Sequence, residues 1–133
     1  MAGLDVGGGT PLLAEPDHIG AVLARLWQRL RTAPDFGMSI ETTPRIAARH
    51  PERLAAVRSL GFDRISMGLQ TASARLLSAY GREHTALGDN LPAAENIRRA
   101  GFRQFNIDLM YGFARQDLDD VEAGVRAAVA LSP

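Results

Sequence analysis

The stretch Arg58-Ser59-Leu60-Gly61-Phe62-Asp63-Arg64-Ile65-Ser66-Met67-Gly68-Leu69-Gln70 decides the fold class, because its opening recurs forty residues later as Arg98-Arg99-Ala100-Gly101-Phe102. Each copy reads as the end of a helix, a glycine cap in the left-handed region, a phenylalanine packed at the turn, and then a strand. In the first copy Ile65, Met67 and Leu69 alternate onto one side, the two-residue period of a strand with one buried face. A strand and helix repeated at this interval calls for parallel strands, since parallel neighbours can be joined only through a crossover.

The same alternation extends outward from the repeat. Residues 4–6 read as the tail of a strand running into Gly7-Gly8-Gly9-Thr10-Pro11. A helix follows with Pro16 in its first turn and Ile19, Val22, Leu23, Leu26, Trp27 and Leu30 as one apolar stripe toward the core, with Pro34 helping to end it. Residues 37–42 form a strand closed by Pro44, and residues 51–60 a helix ended by Gly61. Helices near 73–80 and 91–100 flank a glycine-containing loop at 81–90. Residues 104–110 are a further strand, and 117–131 a last helix with Leu118, Val121, Val125 and Val129 inward. The fold class is therefore α/β, a parallel sheet of about four βα units. A closed eight-stranded barrel takes about 250 residues, so 133 residues make an open sheet or part of a larger barrel. The second option is preferred, because the chain starts almost inside a strand and stops just after a helix.

Composition limits the chemistry. Hydrophobic residues are 46% and charged residues 23%, as in a globular domain. The longest apolar runs are four or five residues, and no basic-then-apolar leader follows Met1, so a cytoplasmic chain without a membrane span is expected. The formal net charge is zero and the basic residues form no stripe, which argues against nucleic acid as a partner. All 15 basic residues are arginine, so lysine Schiff-base chemistry and a P-loop lysine are excluded. With no cysteine, so are thiol nucleophiles, disulfides, zinc–thiolate sites and any cluster ligated by this chain's own cysteines.

Polar residues collect where the expected strands end: Thr10 after the first, Glu41 at the end of the second, Gln70 after the third, Asp108 late in the fourth. In parallel α/β architectures ligands bind at that edge, where the βα loops converge. The plain alternative is that strand ends are simply exposed and polar. Gly7-Gly8-Gly9 lets backbone groups approach a ligand without Cβ atoms in the way, or is only a strand-to-helix turn; it lacks the lysine and spacing of a phosphate loop. Glu41 suits a ribose diol or an ammonium group, or else is satisfied by nearby backbone or an arginine. Asp108 is read as interrupting an apolar strand, where an unpaired carboxylate is costly. It then requires a ligand's positive group or an arginine such as Arg82. His18, His50 and His84 show no metal-ligand spacing and read as surface residues, Tyr111 as core, and Arg98 and Arg99 as a solvated helix face.

Taken in order, Gly7-Gly8-Gly9-Thr10-Pro11, Ser39-Ile40-Glu41, Gly61 to Gln70, Gly81-Arg82-Glu83-His84 and Asn106-Ile107-Asp108-Leu109-Met110-Tyr111-Gly112 resemble the radical S-adenosylmethionine enzymes of the oxygen-independent coproporphyrinogen III oxidase type. The resemblance covers nearly the whole chain. It implies a partial (β/α)6 TIM-like barrel binding S-adenosylmethionine at the strand C-termini, with Gly8, Gly9 and Thr10 at the methionine end. Glu41, Gln70, Arg82 and Asp108 would complete one or two cofactor sites. A tetrapyrrole-like small molecule is the implied substrate.

The family holds a [4Fe–4S] cluster on a CxxxCxxC loop after its first strand. This chain has no cysteine, so the cluster is expected in a longer parent protein and is not ligated here. Residues 1–133 would be the central portion of the barrel domain, without the first strand and cluster loop or the C-terminal region. Such a chain would be silent in radical chemistry alone and prone to self-association through exposed barrel edges. Gly112-Phe113-Ala114-Arg115-Gln116 departs from the family's Gly-Leu-Pro-x-Gln, and Thr42-Thr43-Pro44 from the oxidases themselves. That leaves open heme chaperones and other non-catalytic binding relatives, for which His84 is the candidate heme ligand, and radical methylases.

Overall fold

The computed structural model describes residues 1–82 and 87–133. Four strands, β1 (Gly3–Val6), β2 (Gly37–Thr42), β3 (Arg64–Gln70) and β4 (Gln104–Leu109), form one sheet in the order β1-β2-β3-β4. Every neighbouring pair is parallel, with Val6 beside Ile40, Glu41 beside Ser66 and Gly68 beside Asp108. The crossovers carry α1 (Pro16–Trp27), then α2 (Pro44–Arg49) and α3 (Pro51–Ser59), then α4 (Ala74–Ala79) and α5 (Asn90–Ala100); α6 (Leu118–Ala130) follows β4.

Both copies of the repeat form the expected turn. Gly61 has φ +101° after α3 and Gly101 φ +80° after α5, backbone conformations that disfavour a side chain. The arginine of each copy clasps the next unit. Arg58 Nε donates to the Gly101 carbonyl at 2.9 Å, and Arg98 Nη1 to the Leu131 carbonyl at the end of α6 at 2.6 Å. Arg98 and Arg99 are both exposed, as the sequence suggested, but Arg98 also ties α5 to the end of α6, whereas Arg99 bonds Asn96 of its own helix.

One face of the sheet is apolar throughout. Met38 and Ile40 of β2 and Ile65 and Met67 of β3 are buried against Leu54 and Val57 of α3 and Ala93, Ala94 and Ile97 of α5. Asn96 donates to the carbonyls of Ala47 and Ala48, tying α5 to α2. Arg53 bonds the carbonyls of Leu12 and Leu13, tying α3 to the short turn beyond the glycine triplet.

Tyr111, read as core, is instead 88% exposed just beyond β4, and three expectations about the helices are also corrected. First, α2 is a helix of its own. Thr43 caps it by accepting from Ile46 N–H, and Pro44 occupies its first turn, where a missing N–H costs nothing; six residues are too few to show a helical period. Second, α1 ends at Trp27, well before Pro34, and its stripe is covered only in part: Leu23 is buried, whereas Val22 and Leu30 are exposed. Third, α6 turns Leu118, Val125 and Val129 to solvent, and its buried residue is Gly124. Both helices lie at an outer strand of the sheet, so their apolar stripes lack the second neighbour that covers α3 and α5. Among the described residues no helix is long and apolar enough to cross a membrane.

Candidate functional site

Because side chains alternate along a strand, the face opposite the core collects the other set: Asp5, Ser39, Glu41, Arg64, Ser66, Gln104, Asn106 and Asp108. Together with Val6 these line a concave cavity of about 310 Å³. Its floor, toward the strand N-termini, is internally paired. Ser39 Oγ donates to the Asp5 carboxylate, and Arg64 Nη2 lies 3.5 Å from Asp5 Oδ1. Arg64 Nε is buried with no hydrogen-bond partner among the described residues.

The rim, at the strand C-termini, carries Glu41 and Asp108. Asp108 makes no hydrogen bond or ion pair among the described residues. Partial burial, and then the neighbouring Glu41 carboxylate, hold its pKa above the usual aspartate value. Of the two causes, it is the facing Glu41 carboxylate that favours a cation placed between the two groups. Asp108 does not interrupt an apolar strand, which corrects the sequence reading. β4 alternates, with Phe105 and Ile107 packed toward the core and Asn106 and Asp108 on the cavity side, and Asp108 is not paired with Arg82.

The glycine triplet meets this rim directly: Gly8 N–H donates to Glu41 Oε2 at 3.3 Å. Gly8 and Gly9 have φ +82° and +89°, so the turn depends on their lacking side chains. Thr10 follows; its hydroxyl makes no cap bond, and its carbonyl accepts from Leu13 N–H at 2.9 Å. Gly8 and Thr10 also border a separate, largely apolar cleft of about 370 Å³ between β1 and α1.

Gln70 ends β3 at φ +67°, and its carbonyl accepts from Met110 N–H at 2.8 Å. Its side-chain amide folds back over Gly68, on the cavity side of the sheet. Arg82 is half-buried past the end of α4, its N–H bonded to the Leu77 carbonyl at 2.8 Å. The structure thus brings Gly8, Glu41 and Asp108 together, sets Gln70 and Thr10 at adjoining strand ends, and joins Arg82 to none of them. His84 lies outside the described residues; His18 and His50 are exposed. Among the described residues no group of histidine and carboxylate side chains is arranged to hold a metal ion.

Six cavity residues, Asp5, Ser39, Arg64, Ser66, Gln104 and Asn106, escaped the sequence reading, which looked only at strand ends. The signal was present, because each occupies the polar phase of a strand whose other phase is Leu, Val, Ile, Met or Phe.

Residues 3–127 match the model of the radical SAM superfamily. The chain belongs to this superfamily. Within it, the chain is 35% identical over 124 residues to the heme chaperone HemW of Mycobacterium tuberculosis, covering 93% of this chain and 31% of that protein. It is 32% identical to HemW of Escherichia coli (96% of this chain, 33% of that protein). It is 28% identical to the oxygen-independent coproporphyrinogen III oxidase of Cereibacter sphaeroides (96% and 27%). The solved structure of coproporphyrinogen III oxidase from Escherichia coli, a radical SAM enzyme, superposes with a TM-score of 0.83 at 28% identity, over 99% of this chain and 30% of that one. The four-stranded parallel sheet is thus a radical SAM sheet, and this chain spans about a third of the length of the relatives it matches.

Proposed function

We propose that residues 1–133 are the central part of a radical SAM barrel domain and bind S-adenosylmethionine at the strand C-termini. The parent protein would act on, or carry, a tetrapyrrole-like small molecule. The observation that supports this reading is the charge of the concave face, where three carboxylates (Asp5, Glu41, Asp108) stand against one guanidinium. Arg64 pairs with Asp5 on the floor, so the rim carboxylates keep their attraction for a cation. A sulfonium with an α-ammonium group fits that excess, and the glycine turn gives backbone access to the methionine end. In this reading Glu41 and Asp108 hold the cationic and hydroxyl groups of the cofactor, Gly8, Gly9 and Thr10 border its methionine end, Gln70 approaches from the end of β3, and Arg82 would have to swing in from beyond α4.

Reduced at its sulfonium, S-adenosylmethionine supplies an adenosyl radical for hydrogen abstraction. Nothing in this chain fits the reducing cluster, since it has no cysteine; its residues bind and orient. Titration of the protein with S-adenosylmethionine in a calorimeter tests the reading. Saturable binding lost on Asp108→Asn and Glu41→Gln is expected, and no heat of binding to the intact chain would end it. The heme-chaperone reading of the parent is favoured over the oxidase by the identities, 35% against 28%. Heme titration followed by absorption spectroscopy tests it, and unchanged spectra in His84→Ala would remove His84 as the axial ligand.

A further inference from the structure

The three glycines of the turn differ in what they do. A Cβ at Gly8 or Gly9 would meet nothing within 4 Å among the described residues, and what demands glycine at these two is their positive φ. Gly7 has no such φ, yet a Cβ there would lie 2.4 Å from Glu41 Oε1, 2.5 Å from Cδ and 2.8 Å from Oε2. The carboxylate is therefore seated against the Gly7 backbone itself, in space that any side chain would take, while the next amide, Gly8 N–H, donates to Oε2 at 3.3 Å. Glu41 Oε1 makes no hydrogen bond among the described residues.

We propose that Gly7 is a positioning residue for Glu41. Its missing side chain lets the carboxylate dock on the Gly7–Gly8 backbone, which fixes one oxygen and leaves the other for a ligand's ammonium or hydroxyl group. Glutamate side chains have several rotamers, and an exposed one is normally mobile; this docking selects one of them before ligand arrives, lowering the ordering cost of binding. The consequence for ligand affinity rests on the proposed S-adenosylmethionine site, whereas the docking itself does not.

A double-mutant cycle separates the two. Gly7→Ala, Glu41→Ala and the double variant are compared by thermal melting, by the Gly8 amide proton resonance, and by S-adenosylmethionine titration. In the Glu41 background Gly7→Ala is expected to lower the melting midpoint by a few degrees, move the Gly8 amide proton upfield and weaken S-adenosylmethionine binding by about tenfold. In the Glu41→Ala background, where S-adenosylmethionine binding is already lost, the same substitution changes neither the melting midpoint nor the Gly8 resonance. Equal effects in both backgrounds would overturn the proposal, as would a Gly8 resonance indifferent to Glu41→Ala. Should Gly7→Ala fail to fold, recovery of the fold on adding Glu41→Ala supports the docking, and loss of the fold in both backgrounds refutes it. If the intact chain does not bind S-adenosylmethionine, the function falls, and melting and the Gly8 resonance still decide the role of Gly7.

Discussion

The two phenylalanines of the repeat provide a quantitative test, because they are equivalent in sequence and unequal in the fold. Phe62 is 0% exposed at the centre of the core, while Phe102 is only partly buried at its margin. A buried phenylalanine removes about 200 Å² from water, worth about 5 kcal/mol at ~25 cal/mol per Å². Alanine keeps about 1 kcal/mol of this, so Phe62→Ala loses about 4 kcal/mol, within the ~3–5 kcal/mol typical of such truncations. Phe102 already shows part of its ring to water, and the same substitution there is expected to cost about 2 kcal/mol. Globular domains are typically stable by about 5–15 kcal/mol, so a loss of about 4 kcal/mol falls within the measurable range. Urea unfolding followed by circular dichroism reads the difference directly, provided the m-value is unchanged. Equal losses at the two positions, or a loss under ~1 kcal/mol at Phe62, would refute the assignment of Phe62 to the core centre.

The raised pKa of Asp108 sets a pH signature. The folded state holds this proton more tightly than the unfolded chain, so its stabilising effect is present in acid and is lost as pH rises through the folded pKa. Asp108→Asn should therefore melt above the parent protein at about pH 7 and converge with it near about pH 3; a gap that widens toward acid would contradict this. Asp117 caps α6 in a reciprocal capping box with Asp120; Asp117→Ala is expected to cost about 1 kcal/mol, read by chemical unfolding. At Gly68 a Cβ would lie 2.4 Å from Gln70 Nε2, the far end of a flexible side chain. Gly68→Ala should leave stability within about 1 kcal/mol while weakening S-adenosylmethionine binding in calorimetry, and unchanged affinity would remove Gln70 from the site.

Much of the fold was legible because its signals are local. The caps at Gly61 and Gly101 require only that a helix end in the left-handed region, and Ile65, Met67 and Leu69 announce a strand within seven residues. Parallel pairing followed from the repeat, since two strands separated by a helix have little other choice. α2 was not legible, because a six-residue helix shows no period and Pro44 also reads as a strand stop. At the site, Glu41 and Asp108 were visible as acidic residues near strand ends, but the contact between Gly8 and Glu41 spans 33 residues and has no local trace.

By itself, then, the sequence determined the α/β class, the strands, the turn glycines and the lack of any cysteine or lysine side chain to supply thiolate or amine chemistry. Only the tertiary structure decided which stripes are covered. Val22 of α1 and Val129 of α6 sit in amphipathic helices as Ile97 of α5 does, yet stay exposed because they flank outer strands. Periodicity reports which residues share a face, and burial depends on whether a neighbour arrives to cover it. Asp108 follows the same rule: its charge is written in the chain, but its raised pKa exists only because folding sets it in a polar cavity beside Glu41.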